Sequence, residues 1–236
     1  MNKNVRTILR ILKWDHPEFP NSLRYIPNPP KLVYVAGDLD CLRGPAIAVV
    51  GTRTPTRTGA KMAEAFGRRL AKRGIVVVSG LALGIDAAAH EGCLAAGGQT
   101  IAVLPSGVSN VYPRENQKLA ARIVKSGGCL VSEYPPDASP EKYTFIQRDR
   151  LQSGLSLGVV VVETDLGGGA MHTARFCRRQ GRLLACVKPR GKHADDPIVS
   201  GNLALLRRKE AAALIGLADL DAFSKLCLQK VKTGLF

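Results

Sequence analysis

The chain is poor in what several classes of protein require. Only 5% of its 236 residues are aromatic, with a single tryptophan, Trp14. No run of eighteen apolar residues occurs, so a membrane-spanning helix has nowhere to form. No charged-then-apolar leader with a cleavage site opens the sequence. The expectation is a soluble, cytoplasmic protein with no membrane partner. Six cysteines, Cys41, Cys93, Cys129, Cys177, Cys186 and Cys227, are scattered without a CxxC pair, which suits small core hydrophobes in a reducing compartment. His16, His90, His172 and His193 are as dispersed, and none stands at metal-ligand spacing from another His, Cys or carboxylate. No metal and no cofactor are expected. Carboxylates are scarce as well: 19 Asp and Glu against 34 Lys and Arg leave a net charge of +15. Such an excess attracts nucleic acid or an acidic membrane surface.

Two nucleotide fingerprints are also missing. The first buried strand runs into GTRTPTRTG rather than GxGxxG, and GxxxxGK[ST] occurs nowhere, which removes the strongest support for NAD binding or ATP hydrolysis. What is present is a regular alternation. Apolar runs at 47–50, 75–79, 100–104, 129–132, 159–162 and 183–187 are separated by helical stretches near 59–73, 85–96, 114–125, 171–180 and 203–213, with 141–151 a helix or structured loop. β-Branched runs without alternation mark strands buried on both faces. The pattern predicts a doubly wound, mostly parallel α/β sheet, Rossmann-like and a single domain over 32–215. Ahead of it, 1–31 reads as a basic helix ending near 13 and a proline-dense lead-in. Behind it, 216–236 reads as a C-terminal helical tail.

Right-handed crossovers bring every strand-to-helix loop to one sheet edge, where ligands of such sheets bind. That rule gathers Gly51, Thr52 and Arg53, Ser79 and Gly80, Ser106 and Gly107, and Gly167, Gly168 and Gly169. Free N–H groups at 51–53, 80 and 168–170 would suit phosphates, and Thr173 on the helix after the glycine triplet completes the set. Arg53 could meet a phosphate bidentately, or pair with Asp86 as a surface arginine. Phe145 lies among Lys142, Arg148 and Arg150, a mixture suited to single-stranded nucleic acid. A base stacked on an exposed ring contributes roughly 1–3 kcal/mol while cations track the backbone. The alternative for Phe145 is a core ring anchoring a loop. Asp86, His90 and Glu163 are the polar residues nearest the strand ends, but no nucleophile elbow or paired-carboxylate spacing makes them catalytic. Asp86 reads as a cap or orienting group for the helix after Gly84, and the protein as a non-catalytic binder.

These residues resemble a known family. AIAVVGTRTPTRTG, IVVVSGLALGIDAAAHEGCLAAGGQTIAVLPSGVSNVYPRENQKLA, CLVSEYPP and FIQRDRLQSGLSLGVVVVETDLGGGAMHTARFCRRQGR, in that order, are similar to the signatures of the DprA/Smf DNA-processing proteins. The match covers about 15–215. The resemblance implies a cofactor-free homodimer that binds and protects single-stranded DNA and helps load the RecA recombinase during DNA uptake in natural transformation. It also implies that Arg53, Lys142, Phe145, Arg148 and Arg150 line the DNA pocket. Three departures stand out. Asp149 replaces the usual asparagine between the two arginines, which should weaken phosphate attraction or draw one arginine into an internal pair. Gly168 replaces a serine, and Ile146 a proline. The N-terminal helical domain and C-terminal winged helix of many relatives find no counterpart, so the chain reads as the core alone. The rival reading is a sensor or enzyme for a nucleotide-derived small molecule in a plasmid, phage or defence setting. The cytokinin-activating phosphoribohydrolases of the LOG family have a similar scaffold, but their PGGxGTxxE glutamate is absent from GGGAMHTARF.

Overall fold

The computed structural model describes residues 9–191 and 194–232. Nine strands form one sheet: β1 (Leu9–Lys13), β2 (Leu32–Gly37), β3 (Ala46–Val50), β4 (Val76–Ser79), β5 (Thr100–Val103), β6 (Cys129–Ser132), β7 (Gly158–Val161), β8 (Leu183–Val187) and β9 (Ala212–Leu214). Their spatial order is β1-β2-β6-β5-β4-β3-β7-β8-β9. The two antiparallel pairings are β1 with β2 and β2 with β6, and all the others are parallel. The predicted doubly wound sheet is therefore present, with the chain reversing direction across the sheet between β3 and β7.

The helices are α1 (Asn21–Arg24), α2 (Arg57–Lys72), α3 (Ile85–Ala95), α4 (Gln117–Lys125), α5 (Lys142–Gly154), α6 (Ala170–Arg179), α7 (Ser200–Arg207) and α8 (Leu217–Lys232). Alternate residues of the central strands feed opposite cores, as the period of two requires. Ala48, Val78, Ile101 and Val159 pack under α1, α5, α6 and α7 through Leu23, Leu151, Met171, Ala174 and Leu205. Ile47, Val49, Val77 and Val160 pack under α2, α3 and α8 through Phe66, Leu70, Ile85, Ala89 and Phe223. Leu119 and Ile123 of α4 cover Ala102 and Leu130 on that second side. All six cysteines are buried thiols, as the sequence suggested.

Two boundaries differ from expectation. Leu9–Lys13, expected as the end of a basic helix, is the edge strand β1, with Leu9 opposite Ala36 and Lys13 opposite Leu32. Its cations at three- and four-residue spacing imitate a helical stripe, but burying Leu12 and completing the β2 ladder decide the conformation. The remainder of that expected helix, 1–8, lies outside the described residues. The expected helix near 203–213 ends at Arg207, and its alanine-rich tail becomes β9, paired in parallel with β8. A three-residue strand whose Ala212 and Ala213 are exposed carries neither period, so sheet pairing overrides the helical preference of alanine.

Candidate nucleic-acid interface

The loops after β3, β4 and β5 and the first turns of α5 enclose a cleft of about 310 Å³ at the carboxyl edge of the sheet. It is lined by Arg53, Gly80, Ala82, Leu83, Pro105, Tyr112, Pro113, Arg114, Glu115, Phe145 and Arg148. α5 is the crossover that carries the chain from β6 back past β3 to β7, so its first turns reach this edge from the opposite face. It begins at a capping box, with Glu141 N–H donating to Thr144 Oγ1 at 3.0 Å. That start fixes the direction of Phe145. The Arg53 guanidinium lies over the half-buried Phe145 ring at 5.2 Å from its centroid. Tyr112 meets the same ring edge-on at 5.6 Å and 76°. Arg53, Tyr112 and Leu83 are exposed, so cation, rings and aliphatic side chain all face the cleft.

Beneath them Arg148 is a structural tie as well as a wall. It is 6% exposed, and its Nη1 donates to the carbonyls of Gly80 and Val103, each at 2.6 Å, joining the ends of β4 and β5 to α5. Its Nε pairs with Asp149 Oδ1 at 3.1 Å. Gln152, its amide oriented by the hydrogen-bond network, accepts from Nε and Nη1 at 3.0 Å. Nη2 has no protein partner among the described residues. A Cβ at Gly80 would overlap Arg148 Nη1, so a side chain there would displace the guanidinium from its two carbonyls. Gly84, at φ +80°, turns the chain into α3 so closely over the Thr52 and Arg53 carbonyls that no Cβ fits. The Gly80 N–H donates to Asp86 Oδ2 at 3.0 Å, so Asp86 orients this loop rather than capping the helix after Gly84, which has no side-chain cap bond, and rather than pairing with Arg53.

Electrostatics follow from that burial. Desolvation pushes the Asp149 carboxyl up to about 7, opposed by Arg148 and reinforced by Asp86. Asp86 is raised by its own burial, against the pull of Arg148. His90 is pushed down to about 3 by burial and by Arg148. It is a neutral core histidine, held at 2.7 Å from Thr100 Oγ1. Glu163 is no catalytic partner either. Its two oxygens accept from Thr56 N–H at 2.9 Å and Thr56 Oγ1 at 2.6 Å, and Thr56 Oγ1 in turn accepts from Gly59 N–H at 2.9 Å. The N-terminus of α2, where a phosphate would sit on such a scaffold, is filled by the protein's own carboxylate.

The structure thus brings Arg53, Gly80, Phe145 and Arg148 of the expected residues into one cleft and distributes the rest. Lys142 is exposed one turn before Phe145 on α5, outside the lining. Arg150 points elsewhere: it is 4% exposed, donates through Nε to the Asn28 carbonyl at 3.0 Å and pairs through Nη2 with Glu133 at 2.6 Å. It fastens the proline-dense lead-in to α5 and lines a separate depression with Lys31 and Gln147. Ser79 and Thr173 are buried, and the Ser79 hydroxyl is committed to the Val49 carbonyl at 2.6 Å. Of the anticipated free N–H groups, Thr52 donates to the Glu163 carbonyl at 2.7 Å and Gly168 to the Asp165 carbonyl at 3.2 Å. Gly51 packs against Ile85. The glycine triplet does not reach the cleft because its loop is bound to α7. Gly201 N–H donates to the Thr164 carbonyl, Leu166 N–H to Ser200 Oγ, and Asn202 Oδ1 accepts from Thr164 N–H. Sequence reasoning missed Tyr112, Arg114 and Leu83. The signal was there, since SGVSNVYPREN is a strand-to-helix loop at the same edge and carries an aromatic and a cation.

An open, mostly parallel sheet with an aromatic and cationic cleft at its carboxyl edge places the protein in the doubly wound α/β class, whose members bind ligands at that edge. Within that class the chain belongs to the DNA recombination-mediator protein A family, whose model matches residues 10–225. It is 42% identical over 168 residues to Protein Smf of Escherichia coli, covering 71% of this chain and 45% of that one. The chain spans about half the length of several curated relatives it matches. DNA processing protein A of Streptococcus pneumoniae superposes with a TM-score of 0.83 at 33% identity, over 91% of this chain and 74% of that one. The corresponding Helicobacter pylori protein, described by its single-stranded DNA binding mode, superposes at 0.82 and 30% identity over 95% and 98%. The family is named for DNA processing and recombination rather than for a reaction it catalyses.

Proposed function

We propose that this chain is a non-catalytic single-stranded DNA-binding protein and that the Arg53, Tyr112, Phe145 and Arg148 cleft is where it holds the strand. The observation that carries the reading is an exposed cation and two ring systems above a buried guanidinium with an unengaged Nη2. A base stacks on Phe145 or Tyr112 while Arg53 swings to a phosphate. At an exposed site the Arg53 cation–π contact contributes about 0.5–1 kcal/mol, less than the roughly 1–3 kcal/mol of base stacking, so the exchange is favourable. Lys142 at the rim tracks the backbone. With about three phosphates neutralised, log affinity falls against log salt with a slope near −2, at roughly −0.7 per phosphate for single strands.

The family membership supports a wider role in protecting single strands and loading a RecA-type recombinase during DNA uptake, as a cytoplasmic homodimer. The nucleotide-sensor reading loses the helix N-terminus it needs, because Glu163 occupies it. The test is fluorescence anisotropy of a labelled oligothymidylate at two salt concentrations with Arg53→Ala and Phe145→Ala beside the parent. Salt-sensitive binding by the parent, weakened in both variants, is the expected result. A parent that ignores the oligonucleotide, or variants that bind as it does, overturns the reading.

A further inference from the structure

A cleft of about 310 Å³ houses only a short piece of a polymer, so a strand lying in it must leave over a neighbouring surface. Arg53 and Arg114 mark two ends of the lining, since they follow β3 and β5 with β4 between them. Beyond Arg114 the surface is acidic. Glu115 adjoins it, and the segment between β6 and α5 packs there, with Gly107 N–H donating to the Ala138 carbonyl at 2.9 Å, and carries exposed Asp137 and Glu141. Beyond Arg53 the chain enters α2, and the next charged side chains outward are cations. Arg57 opens the helix and Lys61 stands one turn on, both exposed.

At about 3.6 residues per turn, Arg57, Lys61, Arg68 and Lys72 fall in one stripe opposite the buried Gly59, Ala63, Phe66 and Leu70. The single carboxylate of α2, Glu64, pairs with Arg68 at 2.6 Å, and Arg57, Lys61 and Lys72 have no acidic partner among the described residues. Lys72, like Lys125 of α4, sits at a helix end where the dipole favours a cation, and needs no other reason. Arg57 does. A cation in the first turn opposes the dipole, and no ion pair offsets it here. Glu163, the carboxylate at that end, is buried and taken up by Thr56. The other helices that begin at this edge differ: α3 has no Lys or Arg, and exposed Glu115, Glu141, Asp165 and Asp195 precede α4, α5, α6 and α7. No exposed large hydrophobic side chain lies on α2, so this face can hold phosphates but not stack bases.

Resting on the reading that the cleft holds a single strand, we infer that the strand passes Arg53 and continues along the outer face of α2, where Arg57 and Lys61 hold two further phosphates. The helix rises about 6 Å from Arg57 to Lys61, close to the spacing of successive phosphates in an extended strand. The contact is indifferent to base sequence and exists only for strands long enough to leave the cleft.

The test uses the whole chain and two labelled oligothymidylates, one of about five nucleotides, which the cleft alone engages, and one of about fifteen. Two double variants stand beside the parent: Arg57→Ser with Lys61→Ser, and Lys125→Ser with Lys225→Ser, which removes as much charge from exposed sites on α4 and α8. Thermal melting confirms that both fold. For the parent, the salt slope should steepen by roughly 1.4 from the short strand to the long one, at about 0.7 per phosphate. The α2 variant should lose that steepening, and at least about tenfold in affinity for the long strand at about 0.1 M salt, while its short-strand affinity changes by no more than about twofold. The α4 and α8 variant should bind both strands within about twofold of the parent. With the short strand bound, a parent slope that ignores length, an α2 variant that binds the long strand as the parent does, or a control variant that loses as much overturns this inference and leaves the reading of the cleft standing. A parent that binds neither strand overturns both.

Discussion

The two edges of the sheet handle positive charge in opposite ways. At the carboxyl edge Arg148 is sunk to 6% exposure, bonded to two strand-end carbonyls and countered by a neighbouring carboxylate. At the amino edge, Arg179, Arg207 and Arg208 stand in solvent on helix ends. A buried guanidinium holds its position against a steep desolvation cost and therefore shapes a site. Exposed ones cost little, move freely and act through their summed field. One edge fixes its guanidinium in place, and the other leaves its cations free to move.

The sharpest way to break that contrast is Arg148→Leu. It strands Asp149 and Asp86 and unties β4 and β5 from α5, so urea unfolding should show a loss of about 3–5 kcal/mol, the usual cost of breaking a buried pair. An unchanged midpoint would mean that Arg148 is not the tie the geometry describes. Next is Phe145→Ala, which should weaken oligothymidylate by roughly 1–3 kcal/mol with little change in the salt slope, since it removes stacking and not charge. Loss of slope in that variant would place phosphates, rather than a base, on the ring.

Asp149→Asn sharpens the comparison from the side of pH. Its folded carboxyl titrates near 7, above the 3.8 of an unperturbed aspartate, so between about pH 4 and 7 the native state binds more proton than the unfolded chain. Stability from this group is present below pH 4 and lost as pH rises to 7. Relative to the parent, the asparagine variant should therefore gain stability from pH 5 to pH 7.5, and bind oligothymidylate more tightly at the higher pH by removing a negative charge beside Arg148 and Arg53. Parallel pH profiles for the two proteins would contradict this. The smallest effect belongs to the other edge. Arg207→Ser and Arg208→Ser should each lower stability by only about 0.3–1 kcal/mol through the lost helix-end interaction, measured by thermal melting at low salt. A larger loss would mean that these arginines pack rather than stand free.

The strands were legible because burial on both faces leaves an unmistakable run of valine, alanine and isoleucine, as in 47–50 and 159–162. Arg53 and Phe145 were legible because strand-end loops and the start of α5 converge on one edge whatever the details. Arg150 was not. A sequence displays a charge but not its partner, and Glu133 and the Asn28 carbonyl come from two other segments. Arg148 was half legible: Asp149 beside it signalled an internal pair, but nothing local announced the Gly80 and Val103 carbonyls. The glycine triplet misled because glycine permits a close approach without saying what approaches, and here it is α7 that does. β1 and β9 escaped notice because edge strands need only one good neighbour, and that neighbour lies elsewhere in the chain.

Glu163, seated in the N-terminus of α2, has a consequence for motion. A backbone cradle holds one phosphate at one point and so fixes a ligand in a single register. With that cradle filled, phosphates must be held by side chains on long, rotatable stems, which release one phosphate and take the next with small adjustments. If the cleft holds a single strand as proposed, a polymer held this way would creep through it nucleotide by nucleotide without ever being let go.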